Sequence, residues 1–215
     1  MGVTLVTGAG RRLGSELALA FARAGDGVEA EAFAADLSLP DAPRRLVEAA
    51  LLRFGRLDTL VHSASPWLEK PVAEVTAADW DDVFAVGPRA AFLLAQAAAP
   101  ALEASSGAIL RVSDVAATRA WPRHLPHAVA KAAVNALVVN LAAALAPGVR
   151  VNGLAPGIVL PPADLPAEEV ERLVARTPLR RPVEVADLVA MAVALCRNRS
   201  TTGQVVAVDA GRSIV

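Results

Sequence analysis

The chain has no tyrosine, one cysteine and three histidines, and its 21 basic residues include only two lysines, Lys70 and Lys131. Without tyrosine, no phenol can hand a proton to a substrate. A lone Cys196 cannot close an internal disulfide, which suits a reducing compartment and sets the expectation of a cytoplasmic protein. With lysine so scarce, a lysine inside an apolar helix calls for a specific reason. The net charge of -1 leaves no basic field to draw in nucleic acid or an anionic membrane surface, so neither is expected as a partner. The chain runs straight into a strand-like segment over 3–7, with no charged leader ahead of an apolar stretch, so no signal peptide is expected. Charges and prolines interrupt the alanine-rich runs, and no membrane span is expected from them.

What is present points to a packed enzyme-like fold. Hydrophobic residues make up 54% of the 215 and charged residues 20%, which is globular composition, and the length fits one domain over 1–215. Strand patterns at 3–7, 28–35, 57–62, 108–112, 149–154 and 204–208 alternate with helix patterns at 13–24, 41–54, 78–102, 126–145, 167–176 and 182–195. Asp41, followed by Pro43, reads as a helix N-cap, and Gly87-Pro88 as a bend in the third helix. Short apolar strands between helices imply a parallel sheet covered on both faces, an α/β architecture of the doubly wound Rossmann type. No repeat, linker or low-complexity tract divides it.

Thr7-Gly8-Ala9-Gly10-Arg11-Arg12-Leu13-Gly14 lies between the first strand and the first helix. Glycines there let the backbone turn sharply and approach a pyrophosphate, and the helix N-terminus offers free N–H groups and a positive dipole end. The context turns a weak motif into a substantial one. Arg11 and Arg12 could pair with the pyrophosphate or with the 2′-phosphate of NADP, which favours NADP(H) over NAD(H); the plainer alternative is two solvated arginines.

This segment resembles the TGxxxGxG turn of the short-chain dehydrogenase/reductase family, with Arg12 at a place where pteridine and dihydromonapterin reductases carry arginine. The resemblance runs along nearly the whole chain. His62-Ser63-Ala64-Ser65 is similar to the family's NNAG segment, Lys131 closes a degenerate YxxxK, and Asn152 to Gly157 resembles VNxxxPG. Thr202-Gly203-Gln204 and Asp209-Ala210-Gly211 resemble the terminal TGQ and DGG. The likeness implies a cofactor site of Gly8, Gly10, Arg11, Arg12, Leu13, Gly14, Asp36, Leu37, Ser63, Ala64, Ser65, Lys131, Pro156, Gly157 and Ile158, with Asp36 against the adenine and 156–158 beside the nicotinamide. It also implies a homodimer or homotetramer built on the two long helices and the last strand.

The family's catalytic tetrad is Asn, Ser, Tyr and Lys. Here Lys131 is kept, and it lies one helical turn from His127, which stands at the tyrosine position. Asp114 stands at the serine position, as in pteridine reductases, and Gly87 at the asparagine position. A serine hydroxyl donates to a carbonyl oxygen gaining charge, whereas a carboxylate repels it unless protonated. Asp114 therefore suits a substrate presenting N–H groups, such as the amino-pyrimidine edge of a pterin. His127 can donate a proton near neutrality; a neighbouring carboxylate favours its charged form and Lys131 opposes it. Asp114, His127 and Lys131 are the candidate catalytic residues. The plainer readings are a solvated loop carboxylate, a site that has lost its chemistry, and a snorkelling lysine.

Trp67, after the strand pattern at 57–62, is similar in position to the aromatic that stacks on the pterin, and the candidate substrate contacts are Arg12, Ser65, Trp67 and Asp114. His62 reads as structural more often than catalytic. Pro161-Pro162 begins a segment to 178 that would cover the substrate. One unit is missing from the pattern: after Gly25 the family has a further strand and helix, roughly 20 or more residues, before the Asp36 segment. Either the protein lacks the unit or the sequence as read lacks a stretch, which the mass of the intact chain decides.

The resulting expectation is an NADPH-dependent reductase of a pteridine-like substrate. A reductase of another carbonyl or enoyl substrate, and a non-catalytic dinucleotide-binding homologue, stand as alternatives. No metal site is expected.

Overall fold

Five short strands form one parallel sheet in sequence order: β1 (Thr4–Thr7), β2 (Thr59–His62), β3 (Ala108–Val112), β4 (Arg150–Pro156) and β5 (Val205–Val208). The structure is a computed structural model and describes residues 2–25, 29–161 and 165–215. The central strand β3 is buried at every position, as a strand covered on both faces has to be.

Helices cover both faces. On one, Leu46 and Val47 of α2 (Ala42–Phe54), Leu94 and Leu102 of α4 (Ala90–Ala104) and Leu141 of α5 (Leu125–Leu145) pack over Leu5, Leu60, Ile109 and Val151. On the other, Leu17 of α1 (Arg12–Arg23) and Leu188, Ala192 and Leu195 of α7 (Val185–Arg197) pack over Val61, Leu110, Val112 and Leu154. Leu60 and Val61, or Ile109 and Leu110, face opposite ways because side chains alternate along a strand. Two shorter helices, α3 (Ala77–Phe84) and α6 (Ala167–Ala175), complete the set.

α1 and α2 lie on opposite faces of the sheet. The strand expected over 28–35 does not form. Val28 lies outside the described residues, and 29–36 is mostly exposed and forms no strand, so among the described residues β1 is the edge of the sheet. A strand is stabilised by its partners, and Glu29-Ala30-Glu31-Ala32 has little preference of its own for one. The segment is held instead by Phe33, half-buried against the core, and by Arg53 of α2, which pairs with Glu29 and Glu31.

Asp41 precedes α2 without capping it; its carboxylate lies 3.5 Å from Arg45 Nη1. The bend at Gly87-Pro88 is present: α3 and α4 join through a widened turn over Ala85–Arg89, in which Gly87 has φ -76° and ψ -105°. By length and mean hydropathy, Ala77–Ala104 and Pro122–Leu145 are each long and apolar enough to cross a membrane, contrary to the expectation of interrupted runs. The inner faces of both are used to cover the sheet.

Candidate active site

The carboxyl ends of β1 to β4 converge on the segments singled out in the sequence. At β1, Gly8 has φ +70°, and a Cβ on it would lie 2.8 Å from the backbone N of Ala64; one on Gly14 would lie 2.0 Å from the carbonyl of Gly8. The protein's own packing dictates both glycines. Gly10 is different, since a Cβ there would meet nothing within 4 Å. The open side of the turn, at the start of α1, fits a phosphate group approaching the helix N-terminus. Arg11 is exposed beside it, and Leu13 is half-buried on the α1–α7 side of the core. The Arg12 guanidinium donates to the carbonyl of Leu160, so Arg12 ties the turn to the segment after β4.

His62 ends β2 in register with Thr7 on β1 and Arg111 on β3. Thr7 Oγ1 and His62 Nδ1 are 2.8 Å apart, and Nε2 is buried without a hydrogen-bond partner. Burial, then Arg111 and Lys131, hold His62 well below its ordinary pKa, so its ring is neutral. Arg111 is itself fully buried, gives one hydrogen bond to the Ala91 carbonyl, and is pushed down to about 9 by burial.

His62, Ala64, Ser65, Gly87 and Val112 line a cleft closed by Ala130 and Lys131 of α5. Lys131 donates to the Val112 carbonyl at 2.9 Å, and burial pushes its pKa down to about 8 against the upward pull of Asp114. Gly87, at the asparagine position, leaves room: a Cβ there would lie 3.7 Å from the Ala130 methyl. Ser63 and Ala64 are half-buried beside the Gly8 turn, and Ser65 is exposed.

One turn before Lys131, His127 is buried, and its Nδ1 is 3.0 Å from the Pro66 carbonyl. A carbonyl only accepts, so Nδ1 carries the proton in this bond. Nε2 is left buried without a hydrogen-bond partner, 3.8 Å from Asp114 Oδ2. Asp114 is held in place because its Oδ1 accepts from Ala116 N at 2.7 Å, capping the short turn Val115–Thr118. The hydroxyl of its neighbour Ser113 is turned away, to Asn135.

Trp67 covers the pair. Its ring lies 4.8 Å from His127, 4.7 Å from His124 and 5.6 Å from Trp121, centroid to centroid, in edge and tilted arrangements. Half of Trp67 stays exposed. Two of the chain's three histidines and two of its three tryptophans thus gather in one cluster. Sequence reasoning missed Trp121, His124 and Arg212, whose guanidinium carbon lies 5.8 Å from the Trp121 ring centroid. Scarcity was the available signal, since tryptophan and histidine are rare here and one tryptophan and two histidines fall within 121–127.

Pro156 is buried at the end of β4, and Gly157 is pressed against Asp209, where a Cβ would come within 2.7 Å of the Asp209 Cα. Ile158 accepts from Val183 N at 2.8 Å. Pro162 lies outside the described residues. Asp36 and Leu37 are arranged differently from the rest. Leu37 is turned into the core, and the exposed Asp36 carboxylate accepts from the backbone and hydroxyl of Ser38, which lowers its pKa. Asp36 borders a separate open groove between 32–36 and α2. Among the described residues, no three His, Cys, Asp or Glu side chains converge to hold a metal ion.

Residues 4–213 match the family model described as Enoyl-(Acyl carrier protein) reductase. An uncharacterized oxidoreductase of Methylorubrum extorquens is 32% identical over 240 residues, covering 97% of this chain and 96% of the relative. That aligned length exceeds the 215 residues here, so the relative has positions without a counterpart in this chain. Among solved structures, FolM alternative dihydrofolate reductase 1 from Brucella canis, complexed with NADP, superposes with a TM-score of 0.88 at 30% identity, covering 99% of this chain and 94% of that one. A 7α-hydroxysteroid dehydrogenase complexed with NADH and 7-oxo glycochenodeoxycholic acid superposes with a TM-score of 0.91 at 28% identity, covering 98% and 93%.

Proposed function

The chain belongs to the short-chain dehydrogenase/reductase family, and on that premise we propose that it is an NADPH-dependent reductase of a pteridine or similar flat C=N substrate. The observation that carries this reading is the His127–Asp114 pair under Trp67. A nicotinamide dinucleotide supplies the hydride when bound, and the open side of the turn at Gly10 with the buried Lys131 fits such a group. Lys131 holds it as an ammonium at the floor of the cleft. Asp114 accepts N–H donors from the substrate edge, a task for a carboxylate held in place by the Ala116 N–H. His127, its Nδ1–H engaged by Pro66, acts as the imidazolium, protonated on both nitrogens: Nε2 gives its proton to the ring nitrogen as the adjoining carbon is reduced, and the ring is left neutral with its proton on Nδ1. Trp67 orients the flat ring and excludes water from one side.

The preference for NADPH rests on the arginines of the turn. With Arg12 tied to Leu160, Arg11 is, among the described residues, the guanidinium without a partner beside the phosphate site. The FolM likeness, in a structure complexed with NADP, supports the same choice. Exposed small and apolar residues along α5, Val129, Ala132, Ala136 and Val139, support self-association; a monomer in sedimentation would reject it.

The test is NADPH oxidation with a dihydropterin set against simple ketones. Turnover of the dihydropterin, abolished in Asp114→Ala with NADPH binding retained, is the expected outcome. An unchanged rate in Asp114→Ala removes the role given to the carboxylate. Reduction of ketones or enoyl thioesters alone favours the second reading, a carbonyl or enoyl reductase, which the description of the matching family model supports.

A further inference from the structure

Resting on the reading of the Trp67 pocket as the substrate site, we propose that Arg212 forms an anion-binding subsite on its wall, so that the substrate is a flat ring carrying a carboxylate-class substituent. Arg212 lies in the last short turn, Arg212–Ile214, and is only 9% exposed. Its guanidinium has no hydrogen-bond or ion-pair partner among the described residues. Its backbone is fully engaged: the N–H donates to Asp209 and the carbonyl accepts from Arg119 Nη1. A guanidinium mostly covered by protein and without a partner is stabilised by a counter-ion that reaches it.

Two carboxylates act on Arg212 through space, and neither pairs with it among the described residues. Asp209 accepts from Gly211 N at 2.9 Å and Ser213 N at 2.6 Å, closing the terminal turn. Asp114 accepts from Ala116 N and points its other oxygen towards His127 and the substrate edge. Arg119 and Arg176 bring further positive charge to bear on Arg212. Three guanidinium groups are thus set against two carboxylates, an arrangement that an added anion relieves.

The geometry sets which anion. Arg212 lies over Trp121 with Cζ 5.8 Å from the ring centroid, and Trp121 meets Trp67 edge-on at 5.6 Å. A cation–π contact at that distance uses none of the guanidinium N–H groups, which stay available to grip a planar carboxylate with two parallel bonds. A ring seated against Trp67 and Asp114 would send such a substituent towards Arg212.

The probes are quinoxaline-2-carboxylate and its uncharged carboxamide, titrated calorimetrically into the protein with and without NADPH. The carboxylate is expected to bind about tenfold tighter than the amide, the worth of one charge-assisted contact. In Arg212→Gln the ratio falls towards one while the affinity for the amide is kept. Should Arg212→Gln not fold, the wild-type ratio is read at rising ionic strength, where it is expected to shrink. Equal binding of the two probes by the wild type, a ratio that survives Arg212→Gln, or a ratio indifferent to salt overturns the proposal. The cofactor-free titration keeps the outcomes separate: a carboxylate preference without NADPH binding upholds the subsite and sinks the reductase reading.

Discussion

The two ends of the ligand-binding edge are built unequally. Around β3, β4 and α5, the residues are buried and tied down: Lys131 to Val112, His127 to Pro66, Asp114 to Ala116. Around β1, where the family carries another strand and helix, the sheet simply stops, and 29–36 lies exposed along the outside. One half of the site is thus part of the core and the other is an edge. On the proposed reading, the residues at the nicotinamide end are also residues of the packing, so that end cannot be trimmed without disturbing the centre of the sheet. The adenosine end would meet the ligand from the surface, where the five strands keep their order without a further unit beside them.

The largest effect is expected where the turn meets the core. In Gly14→Ala the new methyl would sit 2.0 Å from the Gly8 carbonyl, and backbone has to move to admit it. A loss of about 3 kcal/mol, or roughly 6–12 °C in Tm, is expected by thermal unfolding. Gly10→Ala, with open space around it, leaves Tm unchanged and weakens only cofactor binding. A Gly10→Ala protein that binds the cofactor normally removes the phosphate from the turn.

Lys131→Met comes next. Loss of one charge-assisted contact in a buried cleft weakens cofactor binding by roughly 10- to 100-fold in a calorimetric titration. Asp36→Ala, at the exposed end, weakens it far less. Equal effects at the two positions would break the contrast between core and edge.

The pH dependence separates the same two regions. Lys131 has an ordinary pKa of 10.5 and a folded one of about 8. Between those values the unfolded chain holds the proton and the folded chain has released it, so unfolding takes up protons and stability rises with pH across that window. The span is worth about 3 kcal/mol, absent in Lys131→Met. Cofactor affinity moves the opposite way, falling as pH rises through about 8 and the ammonium is lost. A flat affinity from pH 7 to 9.5 would show that Lys131 does not hold the ligand as a cation.

Most of the fold was legible because apolar patterns of period two and 3.6 are local. β1, β3 and α5 start and end within about two residues of where their patterns do, and the Gly87-Pro88 bend was visible as a dipeptide. The segment 28–35 was misread as a strand because its apolar residues carry no information on whether a neighbour exists to pair with. Asp41 was read as a cap from its residue type, yet it already has helical dihedrals (φ -88°, ψ -17°), whereas an N-cap is extended. At the site, spacing along one helix put His127 and Lys131 together, and the residue type of Asp114 suggested its partner. Trp121, His124 and Arg212 escaped notice because their relation to Trp67 is made by folding, with Arg212 brought from the far end of the chain.

The most direct test is a titration of the purified protein with NADPH and with NADH, followed by quenching of Trp67 and Trp121 fluorescence. Saturable binding, tighter for NADPH than for NADH and weakened in Lys131→Met, is expected if the buried half of the site suffices to hold a dinucleotide without a further strand–helix unit beside β1. Absence of binding by either nucleotide would contradict that account and leave the chain a folded relative without a cofactor.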